Sequence, residues 1–170
     1  RIVHLDAQGV FRNAFGSYGN VMDGETPGGL LNEPWGVTVG PDGNVYVADT
    51  WNHRIQVFTP DGEFLRMWNV FDVNGLPNGF WGPRGIAVDQ TGRVFVTDTG
   101  KQRVVVFDSN GNYLTQFGSV GLEPGNMDEP VGIEVAPDDK IYIADTWNYR
   151  VQVFEPDPTG LQFRSTRFWE

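Results

Sequence analysis

The sequence predicts an all-β protein built from repeated four-stranded antiparallel units, and three observations carry that reading. The decapeptide DTWNHRIQVF at 49–58 returns as DTWNYRVQVF at 145–154, with a looser copy, DTGKQRVVVF, at 98–107. Short runs rich in Val, Ile, Tyr and Phe alternate with turns bearing Gly, Asp and Asn along the chain. Landmark spacing is constant: 15 residues separate Pro34, Pro83 and Pro130 from Asp49, Asp98 and Asp145, and five more lead to Arg54, Arg103 and Arg150.

Arg1 stands at the repeat's Arg position, so IVHLDAQGVFRNAF aligns with the later half of a unit and reads as its outer two strands. In the first complete unit the strands are GVTV, NVYVA, RIQVF and EFLRMW. GPDGN, TPDGE, DQTGR and DSNGN are read as hairpin turns, where Gly or Asn supplies the positive φ of a tight reversal. VVVF at 104–107 is apolar without alternation, as expected of a strand covered on both faces. Four antiparallel strands in a repeat of roughly 40–50 residues describe a β-propeller blade. The units are 1–16 (the outer half of a blade) and three full blades at 33–69, 82–118 and 129–170, the last lengthened through EPDPTGLQF. Such a set is a partial, open ring with a single segment, 1–170.

With 170 residues, 39% of them hydrophobic, the chain can bury a substantial core. Its formal net charge of -10 opposes contact with phosphate backbones and anionic lipid, so nucleic acid is not expected as a partner. The absence of Cys excludes disulfides and thiolate metal sites. No apolar run is long enough for a helical membrane span.

The unit NEPWGVTVGPDGNVYVADTWNHRIQVFTPDGEFLRMW resembles an NHL repeat, the blade of NHL β-propellers, and the resemblance extends over nearly the whole chain. It implies a propeller that closes with six blades, of which about three and a half are here. It does not imply a function, because one scaffold serves unrelated tasks. The RNA-binding branch of the family uses a basic face, whereas Lys and Arg are dispersed in this chain. A first unit without inner strands leads to the expectation that these residues belong to a longer protein, with self-association or a protein partner as other ways to complete the ring. Similar bacterial domains are envelope-associated, which makes an extracytoplasmic location the expectation.

Residues that recur in every unit are read as structural: Asp49, Asp98 and Asp145 as caps of the turn after the second strand, Arg54, Arg103 and Arg150 as ion-pair partners of an Asp in their own or the adjacent blade. Gly36, Gly85 and Gly132 are read as points of close backbone approach near the axis. Residues that vary on the face of the long connections 16–33, 69–82 and 118–129 are the candidates for binding: Trp35, Trp51, His53, Arg84, Trp147 and Tyr149. Packing against those connections is the competing reading for the aromatic ones. His4 aligns with strand valines, and Glu134 is a lone inner-strand carboxylate. Two histidines are too few for the zinc sites of amidating-lyase propellers, and Glu134 has no partner for a lactonase-type calcium site. No catalytic residue, metal set or cofactor is assigned. The leading expectation is a non-catalytic scaffold that binds a protein or ligand through the loop face. The rival is part of a metal-dependent lyase or hydrolase whose ligands lie elsewhere.

Overall fold

The computed structural model describes residues 1–21 and 27–169. The chain opens with an antiparallel pair, β1 (Ile2–Leu5) and β2 (Phe11–Phe15). A short parallel pair follows, β3 (Ser17–Tyr18) with β4 (Leu30–Leu31). The first complete sheet is β5 (Gly36–Val39), β6 (Val45–Asp49), β7 (Arg54–Phe58) and β8 (Phe64–Trp68), antiparallel in sequence order. Next comes a hairpin, β9 (Val70–Val73) with β10 (Leu76–Gly79). The second sheet is β11 (Pro83–Val88), β12 (Val94–Asp98), β13 (Arg103–Phe107) and β14 (Tyr113–Phe117). The third is β15 (Pro130–Val135), β16 (Ile141–Asp145), β17 (Arg150–Pro156) and β18 (Phe163–Trp169). Each sheet is a propeller blade, the β1–β2 pair is a half blade, and the set forms an open arc.

The core is a series of layers between successive blades. Phe15 and Ile2 of the half blade pack on Leu31, Val47 and Phe58. Tyr46, Ala48, Ile55 and Val57 of the first blade meet Ile86, Val94, Val96, Val105 and Phe107 of the second. Phe95, Val104 and Val106 meet Ile141, Ile143 and Phe154 of the third. The run at 104–107 therefore divides its side chains by strand alternation, two toward each neighbour, and all four are fully buried. Each such Val or Phe contributes on the order of 1.5–3 kcal/mol by leaving water.

Two expectations need correction. The connection 69–82 is not a simple loop, because Asp72, Asn74 and Gly75 close the β9–β10 hairpin: Asn74 and Gly75 both take positive φ, and the Asp72 carboxylate accepts the Gly75 N–H. Its Phe71 and the following Phe80 are buried against Phe107, which supplies the reason for an ordered excursion. The repeat's Asp also does not cap the turn after the second strand. Each 3-10 turn that follows it (Thr50–Asn52, Thr99–Lys101, Thr146–Asn148) lacks a side-chain cap from that Asp, whose carboxylate instead accepts the backbone N–H of the connection entering the blade and, in the first and third blades, the side-chain amide of the turn's Asn. In the connection 16–33, residues 22–26 lie outside the described ones.

Candidate functional site

The site rests on the buried carboxylates that recur in the repeat. Asp49 accepts the backbone N–H of Asn32 at 2.7 Å, the Arg54 Nε–H at 2.7 Å, and side-chain amide protons of Asn52 and Gln56 at 2.9 and 2.8 Å. Arg54 in turn donates to the Leu30 carbonyl at 2.7 Å. Asp145 repeats this with the N–H of Asp128, Arg150, Asn148 and Gln152. Asp and Arg thus clamp both sides of the connection that enters their own blade, one taking its N–H and the other its C=O. In the second blade Asp98 keeps Trp81 N–H and Arg103, while Lys101 and Val105 stand where the other blades have Asn and Gln. Burial pushes the Asp98 carboxyl above its ordinary value, against the pull of the Trp81 N–H and Arg103.

A second set of bonds crosses between blades. Thr50 Oγ1 donates to the Pro83 carbonyl at 2.8 Å, and Thr99 Oγ1 to the Pro130 carbonyl at 2.7 Å. A β-carbon on Gly36 would collide with the Arg84 carbonyl oxygen, and one on Gly85 with that of Val131. At Gly132 the same atom would meet only the Ala144 Cβ, at an ordinary 3.4 Å.

These clamps fix the loop face on which the candidate residues stand. A crevice of about 160 Å³ between the first and second blades is lined by Trp51, His53, Trp81, Arg84, Gly100 and Glu129, with Thr50, Gly82 and Thr99. The His53 ring stacks on Trp81 at 4.8 Å between centroids, with 10° between planes. Gly82 donates its N–H to His53 Nδ1 at 2.9 Å. Burial pushes the imidazole below its ordinary pKa, with Asp98 opposing, so the neutral ring carries its proton on Nε2. Arg84 lies 4.5 Å from the Trp35 ring centroid and reaches Glu129 at 3.5 Å. Trp51 donates from Nε1 to Glu33 at 3.1 Å, yet its residue remains 47% exposed. The crevice therefore offers indole faces for an apolar or planar group, a ring N–H and a guanidinium as donors, and one carboxylate as acceptor.

Trp51, His53 and Arg84 thus meet in one place, with Trp35 stacked beside them. Trp147 and Tyr149 do not join it. They occupy the matching positions on the third blade, 57% and 81% exposed. Packing and exposure coexist at Trp51, whose edge is bonded while its face is open. Trp81 was missed by sequence reasoning. The signal for it was the blank at Gly100, which stands where the other blades carry Trp: a side chain there would occupy the Trp81 ring. Leu31, Phe80 and Met127 were missed too, although each precedes its repeat Pro by three residues and is buried beneath a connection. Among the described residues no group of three or more His, Asp or Glu side chains is placed to share a metal ion.

The NHL repeat profile matches residues 31–58, 80–107 and 127–154. E3 ubiquitin-protein ligase TRIM71 of Rattus norvegicus is 52% identical over 48 residues, which is 28% of this chain and 5% of that protein. B-box type zinc finger protein ncl-1 of Caenorhabditis elegans is 46% identical over 55 residues, 32% of this chain and 6% of that protein. Among solved structures, virginiamycin B lyase of Staphylococcus aureus superposes with a TM-score of 0.63 at 18% identity, over 97% of this chain and 47% of that one. The periplasmic gluconolactonase PpgL of Pseudomonas aeruginosa gives 0.59 at 16%, over 79% of this chain and 39% of that one. The chain therefore spans a small part of its curated relatives and less than half of these structures, and the structural likeness is one of fold alone. With three matched repeats on three four-stranded blades, the chain belongs to the NHL-repeat β-propeller family.

Proposed function

We propose that this chain is a binding scaffold whose loop face holds a polypeptide partner, with the crevice between the first and second blades as the anchor. The observation that supports this most is the set of exposed indoles on one side of the arc: Trp35, Trp51, Trp81 and Trp147 are 55%, 47%, 60% and 57% exposed. Soluble surfaces rarely keep so many large aromatic side chains in water, and Trp and Arg are the residues that anchor protein interfaces. The donor and acceptor groups in the crevice suit a backbone amide or a polar side chain beside an apolar one. The formal charge of -10 favours a basic partner, steering it to the face before contact. In TRIM71 and ncl-1 the matching segment is a minor part of a longer protein, as befits a module.

The test is selection of peptides from a displayed random library on the immobilised 170-residue chain. Selected peptides are expected to pair Lys or Arg with an aromatic or aliphatic residue. Their affinity should fall about tenfold or more in Trp81→Ala or Arg84→Ala, the loss expected at an interface hot spot. Asn110→Ala, in a turn between third and fourth strands on the other face, should leave it unchanged. Selection of no peptide above background, or a single-stranded RNA oligonucleotide bound in a manner abolished by Trp81→Ala, would overturn the reading.

A further inference from the structure

The β9–β10 hairpin brings a reactive pair of residues onto the second blade. The chain has three Asn-Gly steps, at 74–75, 78–79 and 110–111. In such a step the glycine nitrogen can close on the asparagine side-chain carbonyl, because Gly has no β-carbon to obstruct the approach. What each glycine N–H bonds to separates the three. Gly75 donates to the Asp72 carboxylate at 2.7 Å, and Gly111 to the Asp108 carbonyl at 3.1 Å. Gly79 instead donates to Oδ1 of its own neighbour Asn78 at 2.8 Å, so its nitrogen lies against the amide it would attack.

Two cations hold the same oxygen. Lys101 Nζ donates to Asn78 Oδ1 at 2.8 Å, and Arg103 Nη2 at 3.1 Å. Both also bond the Gly79 carbonyl, at 2.6 and 3.1 Å. The first and third blades carry Asn52 and Asn148 where Lys101 stands, and those amides donate to the repeat's Asp. In the second blade Asp98 pairs with Arg103, while Lys101 has no ion pair among the described residues. Burial, then the nearby Arg103, push the Lys101 ammonium below its ordinary pKa. An amide thus stands where the two cations would be better matched by a carboxylate.

We propose that Asn78 is a self-modification site, converted to an acidic residue by the chain's own groups and water. The Gly79 nitrogen forms a bond to Asn78 Cγ, the Cγ–Nδ2 bond breaks, and the glycine's proton leaves with the amide as ammonia. Lys101 and Arg103 stabilise the negative charge that gathers on Oδ1 as Cγ becomes tetrahedral, in the manner of an oxyanion hole. Water then opens the cyclic imide at either carbonyl, leaving aspartate or isoaspartate at position 78. Either product sets a carboxylate beside Lys101 and Arg103 and turns cation–amide bonds into ion pairs. The hairpin, and the Trp81 segment that follows it, are thereby tied more firmly to the second blade. The proposal does not rest on the loop-face reading.

The test is incubation of the intact chain in neutral buffer, folded and in urea, followed by trypsin digestion and mass spectrometry. Cleavage after Arg66 and Arg84 places Asn74 and Asn78 in one peptide, 67–84, so that each serves as the other's control. In the folded protein the mass gain of an amide-to-acid change is expected at Asn78 ahead of Asn74 and Asn110. In urea, where the geometry is lost, that preference should disappear. Lys101→Met should slow the reaction at Asn78 about tenfold, less than the loss of a donor in an enclosed oxyanion hole because Lys101 is exposed. Asn110 should react at an unchanged rate in that variant, which should fold with an unaltered circular dichroism spectrum. Equal rates at Asn74 and Asn78 in the folded protein overturn the proposal. So does an Asn78 that keeps its amide while the unfolded chain loses it, or a rate indifferent to Lys101→Met.

Discussion

The second and third blades follow the same repeat, yet the same letters do different work in them. In the second blade Thr99 fastens the next blade through the Pro130 carbonyl, and Gly85 lets the Val131 backbone come close. In the third, Thr146 reaches only the Ala144 carbonyl of its own strand at a long 3.4 Å, and Gly132 faces no neighbouring backbone. Val104 is fully buried, while its equivalent Val151 is 38% exposed. The difference teaches that the repeated residues fall into two classes. Asp and Arg act within a unit, on the connection that enters it. Gly and Thr act across the boundary to the next unit.

The largest effect expected from this division is at the Asp–Arg clamp. Asp98→Ala leaves Arg103 buried without a counter-charge, and should cost about 3–5 kcal/mol in urea unfolding. Asp145→Ala should cost a comparable amount, because this clamp does not depend on a neighbour. A negligible cost at Asp145 would merge the two classes. Smaller, and sharper, is the matched pair Thr99→Val and Thr146→Val. The first strands the Pro130 carbonyl and should cost about 1 kcal/mol, the second close to nothing.

How much of this was legible in the sequence depends on where a residue's partner lies. Strands such as RVVVF and turns such as PDGN announced themselves because β-branched packing and positive φ are local demands. Constant spacing singled out the repeat's Asp and Arg but left open whether Arg pairs within its own blade or with the adjacent one, which the structure settles in favour of its own. The direction of the Asp carboxylate was not legible, since its other ligand is a backbone N–H 17 residues upstream. Trp81 was illegible for a related reason: it fills the blank at Gly100 from a different segment, and only their contact shows that the loop face keeps an indole there. Of the six candidate residues, four gather at one crevice or beside it. The two on the third blade stand at its equivalent turn, apart from that crevice.

The smallest effect concerns the tether of the connection 69–82 to the first blade. His53 has a folded-state pKa below its ordinary 6.5, so its contribution to stability is present above pH 6.5 and is lost as pH falls through the lowered value. Protonation removes the acceptor for the Gly82 N–H. The melting temperature should therefore fall between neutral and mildly acidic pH. His53→Phe should flatten that dependence, and an unchanged slope would show that the tether carries no weight.

The most direct measurement of the central claim, that identical repeat residues serve different boundaries, is equilibrium unfolding of Gly85→Ala beside Gly132→Ala. The added methyl at position 85 meets the Val131 carbonyl, while at 132 it rests at 3.4 Å from Ala144. The account predicts a loss of about 1–3 kcal/mol for the first, the usual cost of forcing atoms into a filled space, and little change for the second. Equal losses at the two glycines would contradict it.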